Sequence, residues 1–156
     1  MNIGESFELT VEKLYRKMGY EVERRKVVRG VSGAYHEIDL YAYKKSLIIK
    51  QVAIECKWRK NLEIGKKEIA NFLIVLDDTK IKEGHIVTNS FYSKQAKILA
   101  KKYNLKLIDG SMLKKLLKNY SVNFEHETQN FNFLRIIEKI IFPTLEFLTY
   151  IISEQN

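Results

Sequence analysis

The order in which helical and strand-like patterns follow one another constrains the fold of this chain more than any other feature. A helix is predicted first, and three strands follow it directly: residues 5–18, then 20–28, 38–43 and 47–58. Two later strands, at 84–89 and 105–109, alternate with helices at 64–76, 93–103 and 111–119. Successive strands favour antiparallel pairing, whereas strands separated by helices favour parallel pairing. We therefore expect an α/β fold with a central mixed β-sheet flanked by helices.

The chain has the size and composition of one folded domain. Its 156 residues are 46% hydrophobic and 29% charged, and one proline with seven glycines excludes collagen-like and low-complexity chains. Cys56 has no partner for a disulfide, and the three histidines lie too far apart in sequence for a Cys/His zinc site. The N-terminal residues carry acids where a signal peptide would be basic and then apolar. These features predict a cytoplasmic protein.

The positive charge is concentrated before residue 119. Of the formal net charge of +8, residues 119–156 contribute −3, from two basic and five acidic side chains, so residues 1–118 carry +11. A basic domain of this size typically binds a polyanion, most often nucleic acid. Lysine-rich surfaces also keep proteins soluble, so the charge makes DNA a candidate partner without identifying it.

The change in composition predicts two units, a domain over residues 1–118 and a linker with apolar helices over 119–156. Residues 131–152 are rich in Ile, Leu and Phe, but four charged side chains argue against a membrane span: Arg135, Glu138, Lys139 and Glu146. Pro143 favours two short helices over one long helix. The apolar stripe on this tail predicts a homodimer interface, with packing onto the chain's own domain as the alternative.

Alternating polarity on two neighbouring strands predicts where a site would form. On the third strand the two sets of alternate residues are Ile54, Cys56 and Trp58, and Glu55, Lys57 and Arg59. On the second strand they are Ile38, Leu40 and Ala42, and Glu37, Asp39 and Tyr41. Antiparallel pairing of these strands can place Asp39 beside Glu55 on one polar face, with Lys57 close by.

Two adjacent carboxylates and a lysine are suited to phosphodiester hydrolysis. The carboxylates repel each other unless a cation lies between them, which makes the pair a natural site for Mg²⁺ or Mn²⁺. A nearby lysine can orient the nucleophile and stabilise the developing negative charge. Taken alone the pattern is a weak signal, because amphipathic strands often carry solvated ion pairs.

Four stretches of the chain resemble the PD-(D/E)xK nuclease superfamily, and within it the Mrr-like restriction endonuclease catalytic domains: GESFELTVEKLYRKMGYEVE, VSGAYHEIDLYAY, VAIECKWRK and EGHIVTNSFYSKQAKILAKKYNLKLIDGSML. The resemblance covers about residues 4–117. It implies Asp39 and Glu55 as metal-binding acids, Lys57 as the catalytic lysine and Glu8 as a further carboxylate of the site. The backbone carbonyl of Cys56 would be another metal ligand. The superfamily's Pro-Asp is replaced here by Ile-Asp, as it commonly is in Mrr-like members.

The function that this resemblance implies is a metal-dependent endodeoxyribonuclease of the restriction or defence type. Archaeal Holliday junction resolvases are also similar, because they share the Gly-x-x-x-Glu helix that Gly4 and Glu8 form here, the Asp and the Glu-x-Lys. A non-catalytic DNA-binding protein of the same fold is a third possibility. Contacts to DNA are expected from six basic side chains: Arg24, Arg25, Arg59, Lys60, Lys66 and Lys67.

Overall fold

Helices and strands follow one another in the predicted order within residues 2–44 and 50–124, the part of the chain that the computed structural model describes. The first four elements are α1 (Ile3–Lys17), β1 (Glu21–Arg29), β2 (Tyr35–Lys44) and β3 (Lys50–Lys57). The next five are α2 (Lys66–Thr79), β4 (Glu83–Thr88), α3 (Lys94–Lys102), β5 (Lys106–Ile108) and α4 (Gly110–Asn119). The start of the third predicted strand, at residues 47–49, lies outside the described residues.

The five strands form one mixed sheet in the order β1-β2-β3-β4-β5. β1, β2 and β3 pair antiparallel, whereas β3, β4 and β5 pair parallel, as the sequence predicts. The carboxyl ends of the three parallel strands therefore meet at one edge of the sheet. In open α/β sheets, this is the edge where binding sites form.

Helices cover both faces of the sheet. Phe7 and Leu14 of α1 pack with Leu113 of α4 on one face, while Ile69 of α2 and Ala96 of α3 pack on the other. All five side chains are buried, and complete burial of one as large as Phe7 stabilises the fold by roughly 1.5–3 kcal/mol. Because both faces are covered, a site for a large substrate is left to the edge of the sheet.

The predicted alternation on β2 is wrong next to Asp39. Ile38 packs with Tyr41 in the layer under α2 and α3, whereas Leu40 packs in the opposite layer under α1 and α4. Tyr41, expected on a polar face, is only 8% exposed. The β1–β2 ladder pairs residues on both sides of Arg25 and Asp39 but not these two, and Arg25 adopts a φ of 49°. This left-handed residue interrupts the regular pleat, which lets Ile38 turn to the other face.

The described chain ends on an aromatic cluster. The ring of Phe124 stacks on Trp58 with 5.6 Å between ring centroids and lies 6.3 Å from Phe7. The predictions for the C-terminal helices and the dimer interface concern residues 131–152, which lie outside the described residues. Among residues 2–44 and 50–124, no helix is long and apolar enough to cross a membrane.

Candidate active site

The pairing of β2 with β3 brings the two predicted metal-binding acids together. Leu40 of β2 lies opposite Ile54 of β3 at this end of the ladder, and Asp39 and Glu55 are the next residues of the two strands. The backbone N–H of Cys56 donates to Asp39 Oδ2 over 2.8 Å. This hydrogen bond fixes the Asp39 carboxylate across the strand that carries Glu55.

Lys57 and Glu55 form an ion pair on β3. Their side chains are 29% and 20% exposed, so the pair lies in a partly desolvated position at the edge of the sheet. Low exposure strengthens electrostatic interactions relative to those in open water. The ammonium group of Lys57 is therefore held beside the Glu55 carboxylate.

Glu8 approaches the same cluster from α1. Its carboxylate is 18% exposed, and Glu8 Oε2 accepts a hydrogen bond from Arg24 Nη2 over 3.1 Å. Arg25 Nε lies 3.8 Å from the same oxygen. Two arginines of β1 thus hold the Glu8 side chain against the sheet.

The pKa of Asp39 reflects the charges of the other three side chains. Burial and the neighbouring Glu55 carboxylate raise the pKa of Asp39 to about 6 from 3.8, and Glu8 adds to the rise. The Cys56 N–H and the Lys57 ammonium oppose it. Among these four residues a direct side-chain contact joins Lys57 with Glu55, while Asp39 feels the charges of Glu55, Glu8 and Lys57.

The donor set of this cluster fits a hard divalent cation. Asp39 and Glu55 offer carboxylate oxygens, and their repulsion, seen in the raised pKa of Asp39, is what a bound cation would relieve. In the described part of the chain, no three His, Cys, Asp or Glu side chains form a ready metal centre. Two carboxylates with a backbone carbonyl, such as that of Cys56, match the way Mg²⁺ is bound, since this ion keeps several of its waters.

Cys56 contributes its backbone to the site and its thiol to the core. The side chain packs in the layer under α1 and α4. Burial, followed by the negative charges of Asp39 and Glu8, raises the pKa of the thiol well above its usual value. The thiol is therefore protonated at neutral pH and is not a nucleophile.

Two residues at the end of β4 hold the segment that leaves the site, and sequence reasoning missed both. Thr88 Oγ1 donates to the backbone oxygen of Lys57 over 2.7 Å. The Asn89 side chain accepts from the Arg59 N–H over 2.7 Å and donates to the Arg59 oxygen over 2.8 Å. The position of Thr88 and Asn89 after a buried parallel strand is the signal that could have indicated this role.

Of the six side chains predicted to contact DNA, the three arginines lie near acidic side chains of this chain and the three lysines are exposed. Arg24 and Arg25 are engaged by the acids of α1, because Arg24 also lies 3.6 Å from Glu12 and Arg25 lies 3.1 Å from Glu5. Arg59 is half-buried, and its Nη2 lies 3.9 Å from Glu68. The others are exposed near the site, after β3 or in the first turn of α2: Lys60, Lys66 and Lys67.

The turn between β1 and β2, which precedes Asp39, is closed by α2. Ser32 donates to Asp78 from its backbone N–H over 2.8 Å and from its hydroxyl over 2.7 Å. His36 Nε2 lies 2.6 Å from Asp78 Oδ2. The hydrogen bonds from Ser32 and His36 lower the pKa of Asp78 to about 2. A β-carbon on Gly30 would lie 1.8 Å from Asp78 Oδ2, so a side chain there would displace the Asp78 carboxylate from these hydrogen bonds.

A buried histidine lies on β4, away from the acidic cluster. His85 is 3% exposed, and its Nδ1 lies 2.5 Å from the Tyr15 hydroxyl, while its Nε2 lies 3.1 Å from Glu83 Oε1. A neutral ring that accepts from Tyr15 and donates to Glu83 satisfies both contacts. Burial and the nearby Lys106 lower the pKa of His85 to about 4.

Solved structures share this fold. The crystal structure of AF1548, a protein of unknown function, is 24% identical with a TM-score of 0.68, over 77% of this chain and 67% of its own. AspBHI, a DNA modification-dependent restriction endonuclease, is 17% identical with a TM-score of 0.57, over 80% of this chain and 33% of its own. MspJI restriction endonuclease, in complex with a 27-mer oligonucleotide, is 21% identical with a TM-score of 0.50, over 72% of this chain and 27% of its own.

At these identities the likenesses show the fold alone, and the chain spans a third or less of the two restriction endonucleases. No curated protein matches the sequence. The family model of the Mrr catalytic domain, restriction endonuclease, matches residues 2–117, which include the three predicted acids and the predicted lysine. The resemblance seen in the sequence is thereby confirmed, and the chain belongs to the Mrr catalytic-domain family of restriction endonucleases.

Proposed function

We propose that this protein is a metal-dependent endodeoxyribonuclease of the Mrr-like restriction or defence type. The observation that carries the proposal is the convergence of Asp39, Glu55 and Lys57 at the carboxyl-terminal edge of the parallel strands. Family membership and the basic charge of residues 1–118 support DNA as the substrate.

Each side chain has a role that follows from its chemistry. Asp39 and Glu55, with the Cys56 carbonyl, would hold Mg²⁺ or Mn²⁺, which when bound neutralises phosphate charge and lowers the pKa of a coordinated water. Lys57 orients the attacking water and stabilises the negative charge that develops on the phosphate. Glu8, held by Arg24, adds a further carboxylate at the border of the site. Hydrolysis joins the water oxygen to phosphorus and breaks one phosphorus–oxygen ester bond.

The test is nicking of supercoiled plasmid DNA in the presence of Mg²⁺, Mn²⁺ or EDTA. Wild-type protein should cleave with either metal and not with EDTA, while Asp39→Asn and Glu55→Gln should abolish cleavage. Asp77→Asn is the matched control, because this acid lies on α2 with a side chain that is 86% exposed. Wild-type rates in Asp39→Asn would refute the proposed site.

Lys57 separates binding from chemistry. Lys57→Ala should lose cleavage but keep Mn²⁺ affinity, because the ammonium group acts on the transition state and is not a metal ligand. Asp39→Asn should lose both cleavage and Mn²⁺ binding, measured by calorimetry. Equal loss of Mn²⁺ affinity in the two variants would contradict the assigned roles.

A structure-specific nuclease that resembles Holliday junction resolvases is the second candidate. The observation that supports it is the Gly-x-x-x-Glu spacing of Gly4 and Glu8 on α1, which resembles those resolvases. Cleavage of a mobile four-way junction should be compared with cleavage of a linear duplex in Mg²⁺. A strong preference for the junction would favour this candidate over the Mrr-like type. Binding of DNA without cleavage in any metal would instead identify a non-catalytic binding protein.

We also propose that the protein acts as a homodimer formed through residues 131–152. The support comes from the sequence, because this segment is rich in apolar side chains. One active site cuts one strand, so a two-fold pair could cut both strands of a duplex.

A further inference from the structure

A groove of about 620 Å³ has Arg59, two residues after Lys57, among its lining residues. It lies where the segments after β3, β4 and β5 meet. Its walls carry three basic side chains, with polar residues between them: Arg59, Lys114, Lys115, Asn89 and Ser90. The groove therefore opens at the same edge of the sheet as Asp39 and Glu55.

Hydrogen bonds make the floor of the groove continuous with the strand that carries Lys57. The Asn89 side chain accepts from the backbone N–H of Arg59 over 2.7 Å and donates to the backbone oxygen of Arg59 over 2.8 Å. Ser90 Oγ donates to the Leu62 oxygen over 2.6 Å, and the Gly110 N–H donates to the Ser90 oxygen over 2.7 Å. A β-carbon on Gly110 would lie 2.2 Å from the Asn89 backbone oxygen. The first residue of α4 is therefore in direct contact with the floor of the groove. The wall that carries Lys114 and Lys115 is thus fixed relative to the site.

Two of the three basic side chains of this groove, the lysines of α4, have no ion-pair partner among the described residues. Lys114 and Lys115 are exposed on α4, and neither forms an ion pair with a residue in the described ranges 2–44 and 50–124. Asp109 also lines the groove, but its Oδ1 accepts from the Met112 N–H over 2.8 Å and caps the helix. The arginines of β1 differ, because Arg24 and Arg25 are both paired with acids of α1.

We propose that this groove binds the sugar–phosphate backbone of DNA next to the cleaved bond, with Lys114 and Lys115 as phosphate contacts. The inference rests on the proposed nuclease function and extends it to residues outside the acidic cluster. Closely spaced phosphates of one strand would meet Arg59 on one wall and the two lysines on the other. An acidic peptide would match the charge equally well, but continuity with Lys57 favours the strand that is cut.

The experiment measures binding of duplex DNA by fluorescence anisotropy in EDTA, where no cleavage occurs, over a series of salt concentrations. Each phosphate contact contributes about 0.9 to the slope of log affinity against log salt. Replacing both residues, Lys114→Ala with Lys115→Ala, should therefore lower the slope by about 1.8 and weaken binding at 0.1 M salt by roughly tenfold to a hundredfold.

A matched control removes the same charge from the other face of the sheet. Lys97→Ala with Lys101→Ala changes two exposed lysines of α3, and the slope should fall by less than 0.5 on the same scale. The proposal would be overturned if wild type and the Lys114→Ala, Lys115→Ala variant had the same salt slope. It would also be overturned if both double variants lost the same amount of slope relative to wild type. If wild type binds and cuts DNA while the α4 variant behaves like wild type, only the groove is refuted. Absence of any DNA binding by wild type would refute the nuclease proposal as well.

Discussion

Acidification should weaken the fold through His85. This side chain is 3% exposed and has a pKa of about 4, against 6.5 for the ordinary group. Between these values the unfolded chain takes up a proton that the folded chain does not, so stability falls as the pH drops below about 6.5. Each pH unit corresponds to about 1.4 kcal/mol, which makes the loss at pH 5 about 2 kcal/mol.

Asp39 has the opposite effect on stability, because acidification over an overlapping pH range stabilises the fold through this side chain. Its pKa is raised to about 6 from 3.8, so on acidification below about pH 6 the folded chain takes up the proton before the unfolded chain does. The gain at pH 5 is about 1.4 kcal/mol, which offsets more than half of the loss from His85. A pH series on wild-type protein alone would therefore show only a shallow change.

The assay isolates His85 by comparing wild type with His85→Gln in urea unfolding at pH 7.5, 6.5 and 5. Glutamine does not titrate, so the stability advantage of wild type over the variant should shrink by about 2 kcal/mol from pH 7.5 to 5. Asp39→Asn serves as a second background, in which the opposing contribution is absent and the pH dependence should be steeper. A wild-type advantage that stays constant with pH would refute the reasoning.

Three further outcomes follow from particular contacts. Arg24→Gln should slow single-turnover cleavage by about tenfold, because Glu8 loses its ion pair, while the salt slope of DNA binding stays within about 0.5 of wild type; a drop near 1 would identify a phosphate contact instead. Gly110→Ala should cost about 1–3 kcal/mol in urea unfolding, because the added carbon would lie 2.2 Å from the Asn89 oxygen; unchanged stability would contradict this packing. Truncation after Phe124 keeps the aromatic cluster with Phe7 and Trp58, and should give a monomer by light scattering that nicks DNA without cutting both strands. A truncated protein that is still dimeric would refute the dimer proposal.

The sequence predicts the order of elements because each helix and strand has its own period of apolar residues. Antiparallel pairing of β2 with β3 also predicts Asp39 and Glu55 at the same end of the sheet, although the alternation on β2 is interrupted at Asp39. The sequence could not predict that Ile38 turns to the opposite layer, because this depends on the left-handed backbone of Arg25, which no local pattern indicates. Local composition likewise cannot show that Arg24 and Arg25 are paired with acids of α1, since those acids lie more than ten residues earlier.

The hydrogen bonds from the β1–β2 turn to Asp78 couple the local unfolding of this turn to that of α2. Val31 donates its N–H to the Asp78 backbone oxygen over 2.9 Å, in addition to the side-chain contacts from Ser32 and His36. The turn and the last helical turn of α2 are thus joined by several hydrogen bonds although they lie more than forty residues apart. Neither can fray alone, so their amide protons should exchange with solvent as one cooperative unit. The strand end that leads to Asp39 is therefore as persistent as α2 itself.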